Sequence, residues 1–226
     1  MFKTLSKLLF VSFALAAAVQ VNAAVITNGF TYAVASGGGA QDTGTHFHSS
    51  TAGDYGNPAG LAEVGSFSSE EVRGLSEYNL GGLGSATSAY VTFDVWGVGL
   101  FTGVNDFSFD GLIDIVAYQG NNAEDIADYQ AASAGSVGSF STVGIAVGNI
   151  FSFDITSIFN NAITNGWSSL GIRLSTENTV TNGGAWVFND FRLTTTDDTN
   201  VPEPASVLLM AIGLAGFGFS RARAKK

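Results

Sequence analysis

The chain of 226 residues has room for one ordinary domain and contains no cysteine, which excludes disulfides, thiol catalysis and cysteine-ligated metals. Nine Lys and Arg stand against nineteen Asp and Glu, but the bases gather at the two ends. Residues 24–200 hold three arginines, no lysine and eighteen acids, a formal charge of −15 that repels phosphate backbones and excludes nucleic acid as a partner.

Met1–Lys7 carries Lys3 and Lys7, an apolar run follows from Leu8 to Val19, and Val21-Asn22-Ala23 ends on a small residue. This is the layout of a secretory signal peptide cleaved after Ala23. The run is shorter than the ~20 residues that a bilayer span needs. It predicts the Sec export machinery and signal peptidase as partners, and a body that folds outside the cytoplasm.

His46-Phe47-His48 lies among Gly37, Gly38, Gly39, Gly44, Gly53 and Gly56, a setting that reads as a loop. Its two imidazoles, with Asp42 and Asp54 close in sequence, could ligate zinc or copper if a third ligand arrived from elsewhere. The simpler expectation is a polar surface loop.

Tyr90–Trp96 alternates with period two: Val91, Phe93 and Val95 share one face, Thr92 and Asp94 the other. Trp96, Asp94 and Tyr90 on the outward face form a candidate sugar platform, with an indole for the ring face and a carboxylate for hydroxyls. Asp106-Phe-Ser-Phe-Asp110-Gly111 places oxygens at alternate positions before a glycine, as a calcium loop does. Its twelfth position is Ala117, where an EF-hand needs Glu, so the candidate reduces to a looser Ca²⁺ site of Asp106 and Asp110 on a sheet edge. The simpler expectation is a strand ending in a turn at Asp110-Gly111, and no other cofactor is expected.

Ile113, Ile115 and Ala117 oppose Asp114, and Phe151, Phe153 and Ile155 oppose Ser152 and Asp154. Thr156 caps a short helix running through Ile163, with Gly166 after its end, and Glu124–Ala132 is a second helix candidate. Leu170, Ile172 and Leu174 face inward with Arg173 outward, and Trp186 joins Phe188 and Phe191 in the core. Short strands, Gly-rich turns and one wet face predict an all-β fold. It is an antiparallel β-sandwich over residues 24–193 with one short internal helix, flanked by an N-terminal signal peptide helix and a C-terminal transmembrane helix. Residues 194–200 read as a polar linker.

Carboxylates at Glu70, Glu71, Asp94 and Asp114 could pair as in glycosidases, but acids are so abundant that some pair falls close by chance. The chain has no Gly-x-Ser-x-Gly, no phosphate-binding loop and no His-Glu-x-x-His, and the expectation is a protein without catalytic activity.

The chain ends VPEPASVLLMAIGLAGFGFSRARAKK over residues 201–226. The prolines bar helix and hold the chain extended. Ala205–Phe219 is apolar apart from Ser206, and Arg221, Arg223, Lys225 and Lys226 form a basic stop that predicts a cytoplasmic C-terminus for an inner-membrane span. Pro202-Glu203-Pro204, the short glycine-bearing span and the basic end together resemble the PEP-CTERM sorting signal of Gram-negative bacteria. The resemblance implies that a membrane-embedded exosortase recognises Pro202, Glu203 and Pro204 and processes the protein there. Such proteins are exported in cells that make extracellular polysaccharide. Residues 151–174 and 183–195 are also similar to jelly-roll modules of surface proteins, some of them carbohydrate-binding. Together these imply a structural or adhesive protein of the cell surface, extracellular polysaccharide or biofilm. The alternatives are a carbohydrate-binding module and a secreted glycan-active hydrolase.

Overall fold

The computed structural model describes residues 24–37, 40–53, 57–67, 70–176 and 183–197. Its strands are β1 (Val25–Asn28), β2 (Phe30–Gly37), β3 (Ala40–His48), β4 (Ala62–Phe67), β5 (Glu70–Asn79) and β6 (Tyr90–Val98), then β7 (Leu112–Gly120), β8 (Ser133–Ser141), β9 (Ile150–Asp154), β10 (Ser169–Thr176) and β11 (Ala185–Thr194). A 3-10 helix, Ile126–Gln130, separates β7 from β8, and α1 (Thr156–Thr164) separates β9 from β10. The fold is all-β, and every strand pairing is antiparallel.

Hydrogen bonds join the strands in the order β8-β7-β10-β5-β4-β11-β6-β9, with β2 and β3 attached at β5 and β1 at β11. The sandwich is therefore one sheet that doubles back, where separate sheets were expected. It doubles back at β5, whose first residues, Glu70–Val72, pair β4 while Gly74–Asn79 pair β10. At the changeover a Cβ on Gly74 would lie 2.8 Å from Ala62 Cβ and 3.0 Å from Val64 Cγ2, so the close approach of β4 needs glycine there.

Both halves turn apolar residues into one core: Val91, Phe93 and Val95 of β6, Ile113, Ile115 and Ala117 of β7, Leu170, Ile172 and Leu174 of β10, and Phe159 and Ala162 of α1. Phe93 lies at its centre, its ring between 4.8 and 6.1 Å from those of Phe140, Phe151, Phe153, Phe188 and Phe191. Phe140 of β8 meets Phe151 of β9 at 4.2 Å and closes the side where the sheet ends. Trp186 is buried there as expected, its indole N–H donating to Phe109 O at 3.0 Å. The cap of α1 differs from expectation: the Asp154 carboxylate accepts from both the N–H and the hydroxyl of Thr156, at 2.8 and 2.6 Å. Those two bonds hold its carboxyl below the usual value.

The wet face expected on β10 is dry. Arg173 is only 8% exposed, because the 3-10 helix packs over the outer face of β7, β10, β5 and β2. Tyr129 of that helix joins Tyr32, Val34, Leu75 and Tyr118 in a second apolar cluster. Thr92, also expected outward, is buried beside Ser152 and Thr194. His46-Phe47-His48 forms the end of β3 and not a loop, whereas Asp106–Asp110 is loop and not strand. Thr194, the first residue of the expected linker, ends β11, and Thr195 exchanges hydrogen bonds with Ala24. No helix among the described residues is long and apolar enough to cross a membrane. The expected signal peptide with its Ala23 cleavage site, and the expected span after residue 204, lie outside the described residues.

Gly171 tests the second cluster. It stands opposite Tyr118 across the β7–β10 pairing, and a Cβ there would overlap the Tyr118 ring. That ring is fully buried and held through its hydroxyl, so it cannot swing aside. Gly171→Ala should lower stability by ~1–3 kcal/mol, as overpacking does, measured by thermal or denaturant unfolding.

Candidate functional site

Two polar assemblies stand out, one closed and one open. The closed one lies under the 3-10 helix. Glu77 is fully buried, and its carboxylate accepts from Asn121 N–H at 3.1 Å, Asn122 N–H at 2.8 Å, Ser169 Oγ at 2.8 Å and Tyr118 Oη at 3.3 Å. The Tyr32 hydroxyl lies 3.2 Å from that of Tyr118 and donates to Asp128 Oδ2 at 2.7 Å. Burial pushes both phenols upward in pKa. Burial also pushes Asp128 up to about 6, with the charges of Glu77 and Asp125 adding and the Tyr32 hydrogen bond opposing.

Two arginines clamp the helix onto the sheet. Arg173 Nη1 donates to the carbonyls of Asp128 and Ala131 at 2.8 and 2.9 Å. Arg73 Nη1 donates to Tyr129 O at 2.6 Å, its guanidinium covers the Tyr129 ring at 4.1 Å, and Nε and Nη2 bind Glu71. Tyr129 Oη donates to the same Glu71. These bonds are spent within the fold, so the assembly fixes structure and presents nothing to a ligand.

His48 is held in the same way. Its Nε2 lies 2.9 Å from Glu63 Oε2, and Glu63 also accepts from Asn105 Nδ2. The Phe101 ring stacks on the imidazole at 5.5 Å. The side chains of His46 and Asp42, and Asp54, lie outside the described residues, among which no group of three His, Cys, Asp or Glu could hold a metal. Asp106 and Asp110 are exposed in the loop before β7, where Asp106 Oδ1 accepts from Gly103 N–H at 3.0 Å.

The open assembly is a cleft of about 520 Å³, lined by Asn28, Gly29 and Thr31 at the β1–β2 junction, Ser50 and Gly60 before β4, Asp94 of β6, and Asp190, Phe191 and Arg192 of β11. A bulge in β11 shapes it: register with β6 breaks between Asn189 and Arg192, and Asp190 takes φ +51°, uncommon for a residue other than glycine. Arg192 Nη1 bonds Asp94 Oδ1 at 2.9 Å and Asp190 O at 2.8 Å. The cleft thus sets a guanidinium between two acidic residues, beside small hydroxyl and amide groups. Such a lining suits a neutral polyhydroxylated ligand, which can both donate to carboxylates and accept from guanidinium.

Of the three residues of the expected sugar platform, only Asp94 lines this cleft. Trp96 is half-buried and is itself the extra residue of a bulge, since Val187 opposes Gly97 while Phe188 opposes Val95. Tyr90, also half-buried, pairs Thr194 and Asp154 at the far end of β6. Asp190 and Arg192 carried no functional reading in the sequence. Their signal was the adjacent polar pair Asn189-Asp190 after the apolar run Ala185–Phe188, where alternation breaks.

The remaining motif is the C-terminal one, which lies outside the described residues. Residues 200–223 match the family described as the PEP-CTERM protein-sorting motif. The chain carries a PEP-CTERM sorting signal. The match takes in Pro202, Glu203 and Pro204 and the basic Arg221 and Arg223, while Lys225 and Lys226 fall beyond its end. A PEP-CTERM signal implies export and processing at the membrane by an exosortase. No curated protein matches the chain.

Asp128 makes the closed assembly pH-dependent. Its folded pKa is raised, so its contribution to stability is complete below the unfolded value of 3.8 and is lost as pH rises through about 6. Asp128→Asn keeps an acceptor for Tyr32 and removes that loss. At pH 7.5 the variant should melt on the order of 2–4 °C above the parent, the shift of about 1 kcal/mol in a domain of this size. The difference should vanish at pH 4, as paired melting curves would record.

Proposed function

We propose that the PEP-CTERM protein serves, once exported and sorted, as a non-catalytic structural or adhesive component of extracellular polysaccharide or biofilm. The observation that supports this is the sorting signal, joined to a domain whose charge is one-sided. All three arginines of the body hold internal contacts, with Glu71 and Tyr129 O, with the carbonyls of Asp128 and Ala131, and with Asp94. Glu63, Glu77 and Asp128 are buried, but Asp106, Asp110, Asp154 and Asp190 face the medium, where they keep the domain hydrated and attract divalent cations such as Ca²⁺. Export in this reading uses the Sec machinery and a signal peptidase acting after Ala23. The span after Pro204 then holds the precursor in the inner membrane, basic end inside, until the exosortase acts.

Replacing Pro202, Glu203 and Pro204 with alanine in a native host should trap the full-length protein in the membrane, with Lys226 intact by mass spectrometry. Matrix cohesion should fall as it does when the chain is deleted. Unchanged cohesion after deletion would contradict the structural role, and normal release of the triple-alanine protein would contradict the sorting role of the triplet.

The cleft favours a second reading, a carbohydrate-binding module. Arg192→Ala should then weaken retention on insoluble polysaccharide about tenfold, one good charge-assisted contact, while melting changes little because the lost ion pair is partly exposed. Retention that survives Arg192→Ala but falls with Trp96→Ala would move the site to the indole. Release of reducing ends, abolished by one acid substitution, would favour a glycan-active hydrolase.

A further inference from the structure

The cleft at the β1–β2 junction holds one group that a neutral sugar leaves without a match. Its charged lining is Asp94, Asp190 and Arg192, two negative charges against one positive. Asp94 and Arg192 answer each other, Oδ1 to Nη1 at 2.9 Å. Asp190 is exposed, and its carboxylate has no hydrogen-bond or ion-pair partner among the described residues. The β11 bulge sets it there, and Arg192 Nη1 holds its backbone by donating to Asp190 O at 2.8 Å.

A second group points independently to a polar occupant. Tyr78 is fully buried, and its hydroxyl has no hydrogen-bond partner among the described residues. Two residues of the cleft lining flank that phenol. A Cβ on Gly29 would lie 3.1 Å from Tyr78 Cζ. Burial pushes the phenol up in pKa, with neighbouring Ser76 and the charge of Arg192 opposing. Thr31, also in the lining, bonds Ser76 Oγ at 3.3 Å. The wall is therefore polar beneath its surface, and a buried hydroxyl left over at such a wall marks a place for a water or a ligand to complete.

The lining sorts the candidate occupants. A divalent cation needs several oxygens around it, but a guanidinium stands between the two acids, and no group of three acids or histidines among the described residues could hold a metal. A lysine side chain brings a four-carbon stem that wants apolar walls. Here the walls are Asn28, Thr31 and Ser50, and Phe191 is only 3% exposed. A uronic acid would carry its carboxylate into a lining already one charge negative, on a body of −15. An amino sugar brings an ammonium and several hydroxyls on one ring.

We propose that the cleft takes an amino sugar with a free amine, one unit of a de-acetylated hexosamine polymer. The ammonium meets Asp190, and the ring hydroxyls meet Asp94, Arg192 and the small polar side chains around them. A hydrogen bond between two charged groups is roughly twice as strong as one between neutral groups, so the amine decides among sugars that fit equally well. The inference rests on the carbohydrate-binding reading of the cleft and names its ligand.

The test is isothermal titration calorimetry of the full chain in mild detergent. The probes are short β-linked glucosamine chains, with free amines or fully N-acetylated. At pH 6.5 the free-amine chains should bind at least ~tenfold more tightly, and the preference should fade by pH 9, where the amine has lost its proton. Asp190→Asn tolerates the positive φ of this position and should bind both probes alike. Should it fail to fold by circular dichroism, Asp190→Gly removes the carboxylate and accepts the same φ. Asp110→Asn removes an exposed acid outside the cleft and should keep the parent's preference. Equal binding of the two probes by the parent overturns the proposal. So does a preference that survives Asp190→Asn, or one that Asp110→Asn weakens as much, which is diffuse attraction to an acidic body. Binding of N-acetylated chains that Arg192→Ala weakens would still uphold the carbohydrate-binding reading. Binding of neither probe overturns the proposal and leaves that reading to retention on neutral polysaccharide.

Discussion

A carboxylate sealed inside the fold organises one half of this molecule. Glu77 is fully buried and makes no ion pair among the described residues, so hydrogen bonds alone satisfy its carboxyl oxygens. Stripping a carboxylate of water is costly unless its lone pairs are filled. Two backbone amides from the turn after β7, the Ser169 hydroxyl at the head of β10 and the Tyr118 phenol fill them. One residue of β5 thereby sets the register of β7 and β10 and the path of the chain into the 3-10 helix. Gly120 leaves room for its carboxylate, and Gly171 leaves room for the Tyr118 ring.

The rest of the outer face follows. Once the turn after β7 is held, Asp128 and Tyr129 come down over β2 and β5, and Arg73 and Arg173 fasten their backbone. β5 and β10 are then buried on both faces, one against the main core and one against the tyrosine cluster. This use of arginine has an external consequence. The three arginines of the body all make internal contacts, and the charged side chains left exposed, among them Asp106, Asp110, Asp154 and Asp190, are acidic. A PEP-CTERM signal implies that such a domain is exported, and the matrix role proposed for it rests on that signal and on the acidic surface.

The inner face of the sandwich was legible in the sequence because hydrophobic alternation reports directly on burial. Val91, Phe93 and Val95, Ile113 and Ile115, and Leu170, Ile172 and Leu174 all point where period two places them. Helix α1 was legible for the same reason at period 3.6. Arg173 was misread because alternation assigns a polar residue to solvent and cannot see a cover supplied by a distant segment. The 3-10 helix that covers it is too short to carry a period of its own. Thr92 was misread likewise, since hydroxyls of β9 and β11 satisfy it from outside its own strand. Of the cleft only Asp94 was anticipated. Its other charged partners, Asp190 and Arg192, are brought to it by a bulge that resets the facing of β11, and strict alternation does not carry across a bulge. The sorting signal was the most legible feature of all, because it acts as a linear motif read by another protein and owes nothing to the fold.

The most direct test of the Glu77 account is amide hydrogen exchange at Asn121 and Asn122. Both residues are exposed in a turn, where backbone amides ordinarily exchange quickly. If the buried carboxylate holds their N–H groups, both should be protected nearly as well as the core strands, and Glu77→Ala should abolish that protection. Fast exchange at both amides in the unaltered protein would contradict the account.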